Sequence, residues 1–523
     1  MSPKGLAPKV TCAVRRRKMR PCRPFHVTVR PGYRWTMGLL DWIRRGPAHP
    51  LILVSNREPF VHRRCADGTI RVDAPAGGLT SALQPVMAAS GGTWIAWGSG
   101  SADFDVTDPG DTILVPPEAP TYHLRRLRLS ASEVQGYYIE TANRALWPLC
   151  HSQLTRFVYD TADWLVYRQV NERFAAAVVN EAHGGGATCW VHDYQLSLVP
   201  GMLRRVRNLF VHQFWHIPWP PPDILRVLPQ ARALILGLLG NHLLGFQTTG
   251  DARNFLAGVR RFVTEAVVEP TRGLVRYKGR RTVVRNFPIS IDVAAFELSA
   301  GLPETAVIAR RVRHEALPGD GQLLLGVDRV DYTKGIPRRF LAIARLLEDH
   351  PDLAGRVALI QVAVPSRSDV PEYTAFEQEV VDLAAELNTR FGRHGWMPIR
   401  LVRETLDQRT LAAYYRAADV CIVSPLQDGM NLVAKEFVAC QEGRFGVLLL
   451  SRFAGAAREM REALLVNPYD VGATAEALLR AIHMPVAERE RRLNALRRRL
   501  RRNTIQDWMD DIFAEVSSLR REA

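Results

Sequence analysis

The sequence predicts an α/β protein with two domains in tandem, each built on a doubly wound parallel sheet, whose loops face a shared central cleft. Short apolar runs recur along the chain, and each is followed by a polar or glycine-containing loop and then by a helical pattern. Such alternation of strands and helices is typical of parallel sheets. The alternation pauses at NFPISID (286–292), and the 523 residues exceed one ordinary core, so we expect two domains.

The first series of buried strands is predicted in the N-terminal half. Its segments are LILVSNREPF (51–60), ATCWVHDYQ (187–195), LFVHQFWHIPW (209–219) and HLLGFQT (242–248). A helical pattern follows the two glycines of APAGGLTSALQPVM. Short apolar runs bounded by turn residues indicate buried strands. We assign residues 49–288 to this N-terminal domain.

The second series begins with QLLLGVDRVDYTKG (322–335). It continues with VALIQVAVPS (357–366), IRLVRE (399–404), DVCIVSP (419–425) and GVLLLSRFAG (446–455). We assign residues 289–485 to a C-terminal domain. Residues 486–523 are predicted to form a helix that packs back on the N-terminal domain, because leucines recur at helical spacing among its many arginines.

The net charge of +16 is concentrated at the N-terminus. Residues 1–50 contain 12 Lys and Arg against Asp41 alone, so they carry +11 and the other 473 residues carry +5. Residues 1–48 are predicted to be a basic, disordered extension, or to precede a start at Met19 or Met37. An arm that binds nucleic acid or an anionic surface is the less favoured alternative. The segment has no apolar core of a secretory signal.

Composition disfavours membrane and extracellular classes. Hydrophobic residues make up 47% and charged residues 23% of the chain, as in globular proteins. No apolar run reaches the roughly 18–20 residues of a membrane helix. The seven cysteines form no C-x-x-C pair, which argues against a disulfide framework or a zinc site. We expect a soluble, cytoplasmic protein without a membrane or nucleic-acid partner, and the sequence leaves homo-oligomerisation open.

Two motifs are interpreted as structural. CADGTI (65–70) contains the Asp-Gly-Thr of phosphatases that use an aspartyl nucleophile, but those enzymes have Asp where Cys65 stands. Asp67-Gly68 is therefore predicted to be a hairpin turn. His212 and His216 in HQFWH are four residues apart, but the alternating apolar stretch around them indicates a strand, which disfavours a metal pair. We predict no metal and no cofactor.

Basic residues follow several predicted strands. They are Arg57, Arg329, Lys334 and Arg367. Because strand ends of parallel sheets meet at one cleft, their convergence implies an anionic substrate with more than one phosphate. Gly77 and Gly78 open a predicted helix, where backbone amides can approach a phosphate. A solvated loop would have the same pattern at any one of these positions.

Polar and aromatic residues supply further candidates. Asp193 in WVHDYQ and His216 in WHIPWP end two strands of the first domain. They suit sugar hydroxyls, or they are structural residues with satisfied hydrogen bonds. Tyr138 and Trp147 in GYYIETANRALWP offer a phenol and aromatic faces, which are equally compatible with packing in the core.

In combination, these segments resemble the trehalose-6-phosphate synthase family, glycosyltransferase family 20. The matching segments between residues 51 and 485 are SNREP, AGGL, GYYIETANRALWP, WVHDYQL, HIPWP, LLGFQT, VDRVDYTKGIPRRF, VPSRSDV, SPLQDGMNLVAKEF, LSRFAGAA and VNPYD. The resemblance implies the GT-B architecture, in which two Rossmann-like domains face a central cleft.

The resemblance also implies roles for individual residues. The implied catalytic set is Asp193, His216, Arg329, Lys334 and Asp428. The implied donor-binding set is Gly77, Gly78, His216, Arg329, Lys334, Asp428, Gly429, Met430, Asn431, Leu432 and Glu436. The implied acceptor-binding set is Arg57, Trp97, Tyr138, Trp147, Asp193 and Arg367.

The reaction implied by the resemblance transfers glucose from UDP-glucose to glucose 6-phosphate with retained configuration, giving trehalose 6-phosphate and UDP. Cations that stabilise the departing diphosphate would supply much of the catalysis. Gln195 stands where the family commonly has His, and with YDTADWLVYRQVNERFA (159–175) it is closer to glucosylglycerol-phosphate synthases, whose acceptor is glycerol 3-phosphate. A catalytically dead sugar-phosphate sensor on the same fold is the remaining alternative.

Asp428 and Glu436 stand eight residues apart in PLQDGMNLVAKEF. If the whole stretch is helical, a rise of ~1.5 Å per residue separates them by about 12 Å along the axis. Paired glycosidase carboxylates stand about 5–5.5 Å or 6.5–9.5 Å apart. The spacing disfavours an acid–base pair and suits the two ends of a nucleotide-sugar. The resemblance implies that Asp428 holds the glucose end of this donor and Glu436 the ribose end.

Overall fold

Two sheets organise the described chain, and the strands of both run mainly parallel. In this computed structural model the described residues are 50–74, 78–183, 186–317, 319–367, 369–393, 395–441 and 443–522. The predicted extension, residues 1–48, and Gly77 lie outside them. All described residues belong to one compact unit, Trp35–Ala523.

A ten-stranded sheet is built from the first half of the chain. The strands of this half are β1 (Leu51–Val54), β2 (Val61–Arg64), β3 (Ile70–Asp73), β4 (Thr93–Trp97), β5 (Thr112–Val115), β6 (Tyr122–Leu127), β7 (Ala187–His192), β8 (Leu209–Phe214), β9 (Leu243–Phe246), β10 (Val267–Glu269), β11 (Leu274–Tyr277) and β12 (Arg280–Asn286). The order in the sheet is β10-β11-β12-β9-β8-β7-β1-β4-β6-β5. Strands from β12 to β6 pair in parallel, and β10, β11 and β5 pair antiparallel at the edges.

A six-stranded sheet follows in the second half. Its strands are β13 (Gln322–Arg329), β14 (Val357–Val364), β15 (Ile399–Val402), β16 (Val420–Val423), β17 (Val447–Ser451) and β18 (Leu464–Val466). Every pairing is parallel, in the order β15-β14-β13-β16-β17-β18. The chain moves outward from β13 to β15 and returns to β16 on the other side of β13. The loops after β13 and β16 therefore meet at a point where strand order reverses, which is the usual ligand position in such sheets.

Helices connect these strands. They are α1 (Gly78–Ser90), α2 (Ala131–Glu133), α3 (Trp147–Cys150), α4 (Thr161–Ala182), α5 (Val199–Leu203), α6 (Pro222–Leu225), α7 (Ala231–Leu238), α8 (Thr249–Phe262), α9 (Val293–Gly301), α10 (Pro303–Ala316), α11 (Ile336–Asp349), α12 (Pro371–Phe391), α13 (Gln408–Ala417), α14 (Leu432–Ala439), α15 (Val471–Ile482), α16 (Val486–Leu500) and α17 (Ile505–Glu522). A π-helical segment, Val134–Leu146, joins α2 to α3. Segments of π-helix are rare, and they are often found near functional sites.

The central strands explain why the sequence adopts this class. Every residue of β1, β7, β8 and β16 is buried, so these runs are covered on both faces, as parallel strands require. Full burial of one large apolar side chain contributes about 1.5–3 kcal/mol. The predicted α/β class with doubly wound parallel sheets is confirmed.

The predicted hairpin at Asp67-Gly68 is also confirmed. Strands β2 and β3 pair antiparallel, with Arg64 opposite Ile70. Gly68 has a φ of 84°, a conformation that glycine adopts without strain. Asp67 Oδ1 accepts from the backbone N of Thr69 at 3.0 Å, which is the hydrogen bonding of a turn and not of a nucleophile.

The last part of the chain forms two helices. The helix α16 buries Leu493, Leu496 and Leu500, as their spacing predicts. In α17, Trp508 Nε1 donates to the carbonyl oxygen of Phe287 at 3.1 Å, and its ring lies 5.8 Å from that of Trp190 on β7. The helix thus lies against the ten-stranded sheet. The domain limits at 288 and 485 stay predictions.

Candidate active site

The loops after β13 and β16 bring a lysine and a carboxylate into direct contact. Lys334 Nζ donates to Asp428 Oδ2 at 2.6 Å, and Asn431 Nδ2 donates to the same oxygen at 3.1 Å. Burial acts to raise the pKa of the Asp428 carboxyl, but the charge of Lys334 outweighs it and lowers that pKa below its ordinary value. Asp428 is therefore ionised at neutral pH and held by a cation.

The turn formed by residues 429–431 packs against the loop that carries His216. A Cβ added at Gly429 would collide with the carbonyl oxygen of His216, so this close approach requires glycine. Asn431 has a φ of 74°, and its Oδ1 is buried with no hydrogen-bond partner among the described residues. The helix α14 begins at the next residue, Leu432. An unmatched acceptor and a helix N-terminus at one turn suit the hydroxyl and phosphate groups of a ligand.

Glu436 lies on the second turn of α14. Tyr415 Oη donates to its Oε2 at 2.7 Å, and burial raises the pKa of this carboxyl. The helix begins only at Leu432, so the stretch from Asp428 to Glu436 is not wholly helical. The distance of about 12 Å, which holds for a helical stretch, therefore does not apply. The carboxylates lie on a loop and a helix, and their assignment to opposite ends of a donor stays a prediction. Met430, also predicted to bind the donor, is buried.

Arg329 ends β13, beside the same loops. Its guanidinium carbon lies 6.0 Å from the ring centroid of Trp147. Burial lowers the pKa of this guanidinium, and the charge of Arg367 acts in the same direction. The guanidinium carbon of Arg367 lies 4.0 Å from the same ring centroid, so two arginines are held near one aromatic ring. Gly78 is the first residue of α1.

A second group of predicted residues surrounds Tyr138. The ring of Trp97, at the end of β4, lies 5.8 Å from the ring of Tyr138. Burial acts to raise the pKa of the Tyr138 phenol, but the charges of Arg57 and Arg367 and a hydrogen bond with Arg57 outweigh it and lower that pKa to about 8. Arg57 and Arg367 therefore approach one phenol from two different loops.

Arg367 links the two sheets. Its guanidinium carbon lies 4.0 Å from the ring centroid of Trp147, and its Nη2 donates to Tyr194 Oη at 3.2 Å. On the other side, its Nη1 donates to Asp331 Oδ2 at 3.2 Å and to the hydroxyl of Tyr373. Trp147 and Tyr194 belong to the half of the chain that forms the ten-stranded sheet, and the other partners to the half that forms the six-stranded sheet. The φ of Arg367 is 54°, a strained backbone of the kind that clusters at functional sites.

Asp193 and His216 lie together at the ends of β7 and β8. Asp193 has φ 68° and ψ −179°, a region that is essentially restricted to glycine, and its Oδ1 accepts from the backbone N of His216 at 3.2 Å. Burial raises the pKa of the Asp193 carboxyl to about 7. Burial lowers the pKa of His216 to about 3, so its imidazole is neutral. Nε2 of His216 is 3.1 Å from Nδ1 of His192.

The structure therefore brings most of the predicted residues into one cluster. Direct contacts join Lys334 to Asp428, Arg367 to Trp147, Tyr138 to Trp97, and Asp193 to His216. The charges of Arg367 and Arg329 act together on the carboxyl of Asp193, which places the acceptor and donor candidates within electrostatic reach of each other. The side chain of Glu436 accepts its hydrogen bond from Tyr415 instead.

Three residues that sequence reasoning missed form hydrogen bonds with Arg367. They are Tyr194, Asp331 and Tyr373. Two of them stand beside predicted residues, in WVHDYQ and VDRVDYTKG, so proximity in the motif was an available signal. Tyr373 lies at the start of α12 and carries no such signal.

Comparison with known proteins identifies the family. A family model described as Glycosyltransferase family 20 matches residues 49–518. The chain belongs to glycosyltransferase family 20. This membership confirms the resemblance seen in the sequence.

Similar proteins within this family have names and solved structures. The chain is 38% identical over 464 residues to a trehalose-6-phosphate synthase of Mycobacterium avium (strain 104), which covers 87% of this chain and 93% of that protein. A solved chain described as trehalose-6-phosphate from E. coli bound with UDP-2-fluoro glucose is 32% identical, with a TM-score of 0.79 over 89% of this chain and 98% of that one.

A third similar protein is an alpha,alpha-trehalose-phosphate synthase (UDP-forming) from Burkholderia xenovorans in complex with glucose-6-phosphate. It is 33% identical, with a TM-score of 0.79 over 90% of this chain and 100% of that one. These matches confirm the two-domain GT-B architecture.

Two further properties bear on the class of enzyme. No group of three or more His, Cys, Asp or Glu side chains in the described part of the chain could hold a metal ion. Among the helices formed by the described residues, none combines the length and apolar character of a membrane span.

Proposed function

We propose that this chain is a retaining glucosyltransferase that transfers glucose from UDP-glucose to glucose 6-phosphate and releases trehalose 6-phosphate and UDP. The observation that carries the proposal is one cleft with two cationic groups. Lys334 lies beside Asp428 on one side, and Arg367 lies against Trp147 and near Tyr138 on the other. Two anionic substrates need two such groups.

On the donor side, the diphosphate binds Arg329, Lys334, Gly77, Gly78 and the N-terminus of α14. Asp428 accepts from hydroxyls of the glucose, assisted by the backbone from Gly429 to Leu432 and by the neutral imidazole of His216. Glu436 accepts from the ribose. The support for these roles is the ionised state of Asp428 and the unmatched Oδ1 of Asn431.

On the acceptor side, Arg57, Tyr138, Trp147 and Arg367 bind the phosphate of glucose 6-phosphate, and Trp97 lines the same pocket. Asp193 accepts a hydrogen bond from a hydroxyl of the acceptor sugar. The lowered pKa of Tyr138 supports the phosphate site, because it reports a local excess of positive charge. Bidentate donation from arginine matches the geometry of a phosphate.

The reaction proceeds on one face of the sugar. The bond between the anomeric carbon and the β-phosphate oxygen breaks, and its electron pair leaves with the UDP, where Arg329 and Lys334 stabilise the new charge. An acceptor hydroxyl oxygen bonds to the same face of the anomeric carbon and gives its proton to the departing phosphate oxygen. Fixed cations need no reorganisation at this step, which is why they lower the barrier.

The proposal extends to the setting of the enzyme. We place it in the cytoplasm, because both proposed substrates are phosphorylated metabolic intermediates. Domains 49–288 and 289–485 are proposed to carry the acceptor and donor sites. The prediction that residues 486–523 pack on the first domain is kept for α17 alone, because α16 contacts Gln322 and Glu462 of the second domain. The contact between Trp508 and Phe287 supports that last assignment.

A donor and acceptor panel, monitored by release of UDP, tests the function. UDP is expected to be released from UDP-glucose in the presence of glucose 6-phosphate. No release is expected when unphosphorylated glucose is the acceptor. GDP-glucose and ADP-glucose test the nucleotide, and NMR of the product reports the anomeric configuration. Turnover with glycerol 3-phosphate and none with glucose 6-phosphate would overturn the proposed acceptor.

The pH dependence gives a separate prediction about Tyr138. Ionisation of a phenol with a pKa of about 8 places a negative charge where the acceptor phosphate binds, so kcat/KM for glucose 6-phosphate is expected to fall as pH rises through about 8. Tyr138→Phe should weaken acceptor binding and remove this alkaline limb, since kcat/KM reports groups of the free enzyme. Glu58→Gln is the control, because the buried Glu58 carboxyl has a pKa of about 8 as well. The alkaline limb is expected to persist in this variant. An unchanged limb in Tyr138→Phe contradicts the assignment.

A further inference from the structure

One carboxylate, Asp331, lies between the proposed donor and acceptor groups. It is fully buried and follows β13 in the motif VDRVDYTKG. Sequence reasoning assigned it no role, and it contacts no other carboxylate in the described hydrogen bonds and ion pairs. Its two carboxylate oxygens have different partners. The partners of one oxygen lie beside the proposed donor diphosphate site, and those of the other lie beside the proposed acceptor phosphate site.

The first oxygen, Oδ1, builds the turn that presents Lys334. It accepts from the backbone N of Thr333 at 3.0 Å and from Thr333 Oγ1 at 2.8 Å. The carbonyl oxygen of the same aspartate accepts from the backbone N of Lys334 at 2.9 Å. Asp331 is thus the N-cap of the 3-10 turn Tyr332–Lys334. Removing a cap releases the turn that it orders.

The second oxygen, Oδ2, holds Arg367. It accepts from Arg367 Nη1 and from Tyr373 Oη, each at 3.2 Å. The hydroxyl of Tyr373 also accepts a hydrogen bond from Arg367, so Tyr373 and Asp331 both bind the guanidinium. These hydrogen bonds hold the guanidinium of Arg367 against the ring of Trp147.

Charge supports the same arrangement. Burial acts to raise the pKa of the Asp331 carboxyl, but the charges of Arg367, Lys334 and Arg329 outweigh it and lower that pKa to about 2. The carboxylate is therefore ionised whenever the enzyme is folded at neutral pH. Together with Asp428, which pairs with Lys334, it supplies negative charge that stabilises three cations in one small region before any phosphate is bound.

We propose that Asp331 is a positioning residue that couples the two substrate sites: Oδ1 orders the lysine that binds the donor diphosphate, and Oδ2 orders the arginine that binds the acceptor phosphate. The inference rests on the proposed function. It deepens that function by identifying one buried group on which the placement of both phosphates depends.

Two single-hydroxyl variants separate the two oxygens. Tyr373→Phe removes a donor to Oδ2, and we expect it to raise the KM for glucose 6-phosphate about tenfold with little change in the KM for UDP-glucose. Thr333→Val removes a donor to Oδ1, and we expect it to raise the KM for UDP-glucose about threefold and leave that for glucose 6-phosphate. Tyr122→Phe is the control, because Tyr122 is buried and its hydroxyl has no hydrogen-bond partner among the described residues.

Asp331→Asn completes the test. An amide keeps an acceptor at the cap but loses the charge, so both KM values are expected to rise at least tenfold. A thermal unfolding midpoint measured for each variant separates misfolding from misplacement. If Asp331→Asn does not fold, the two hydroxyl variants still decide the matter.

Equal effects of Tyr373→Phe and Thr333→Val on both KM values, or wild-type constants in a folded Asp331→Asn, overturn the coupling. Failure of the wild-type enzyme to release UDP in the presence of glucose 6-phosphate is a different result. It contradicts the proposed function, and it is read before any variant is compared.

Discussion

Replacing Lys334 by Ala is expected to lower kcat about 100- to 1000-fold. The amine lies 2.6 Å from Asp428 Oδ2 at the strand-order reversal of the six-stranded sheet, where we place the donor diphosphate. Loss of one preorganised group that stabilises developing negative charge typically costs a factor of about 10²–10³ in kcat. The variant also leaves Asp428 without the charge that lowers its pKa, which adds to the loss.

Arg329→Ala is expected to show a loss of the same size, for the same reason. Steady-state release of UDP measures both variants, with circular dichroism as the check on folding. Arg345→Ala is the matched control, because its side chain is 55% exposed on α11 and forms an ion pair with Asp349 four residues away. Rates near wild type in Lys334→Ala or Arg329→Ala contradict the assignment of the diphosphate to these cations.

The strands that sequence reasoning found are those in which one residue after another is buried. LILV in β1 and VALIQVAV in β14 contain almost only apolar residues, and every residue but the last of β14 is buried. Such runs carry their own signal, because burial on both faces requires apolar side chains at successive positions. The fold class was therefore available from the sequence.

The strands that it missed have mixed composition. YHLRRL in β6 alternates buried and partly exposed residues, and Arg126 among them is fully buried. RRTVVRN in β12 begins with two arginines and has a third, Arg285, before its last residue. A buried arginine is stable only where distant partners satisfy it, and one sequence does not show which residues those partners are.

The residues of the candidate site also fall into those that the sequence indicates and those that it does not. Arg57, Arg329 and Asp193 were found because each follows a recognisable strand. Tyr373, which grips Arg367, and Tyr415, which donates to Glu436, come from helices whose sequence says nothing about the cleft. The left-handed backbone of Asp193 was also invisible, because tertiary contacts impose it against the preference of the residue.

Arg126→Met is expected to lower the free energy of unfolding by about 3–5 kcal/mol, the usual effect of removing one partner from a buried ion pair. The guanidinium donates to Glu58 Oε2 at 2.7 Å and to the carbonyl oxygens of Asp103 and Phe60, each at 2.9 Å. Its side chain and that of Asp103 have no exposed surface. Without Arg126, the buried carboxylate of Asp103, whose Oδ1 lies 3.3 Å from Arg126 Nη2, loses this counter-ion. The loop from Ser55 to Phe60 also loses two of its attachments.

Arg128→Met provides the comparison. Arg128 stands two residues later and forms an ion pair with Asp111 at 2.7 Å, but its side chain is 59% exposed. Exposed pairs of this kind contribute about 0–1 kcal/mol, so a small effect is expected. Urea unfolding followed by tryptophan fluorescence measures both variants. A loss in Arg126→Met no larger than in Arg128→Met would show that the buried network does not stabilise the fold.

The same network predicts how stability changes with pH. Burial and a hydrogen bond with Asp103 raise the pKa of the Glu58 carboxyl from 4.5 to about 8, so the folded protein retains a proton that the unfolded chain has lost. The stability that this proton contributes is fully present below pH 4.5 and is lost as pH rises through about 8. One proton limits the slope to about 1.4 kcal/mol per pH unit. Glu58→Gln keeps the neutral shape without the titration, so its free energy of unfolding should vary less across that window than that of the wild type. An equal slope in both proteins would assign the pH dependence to other groups, and it would leave Glu58 ionised beside Asp103.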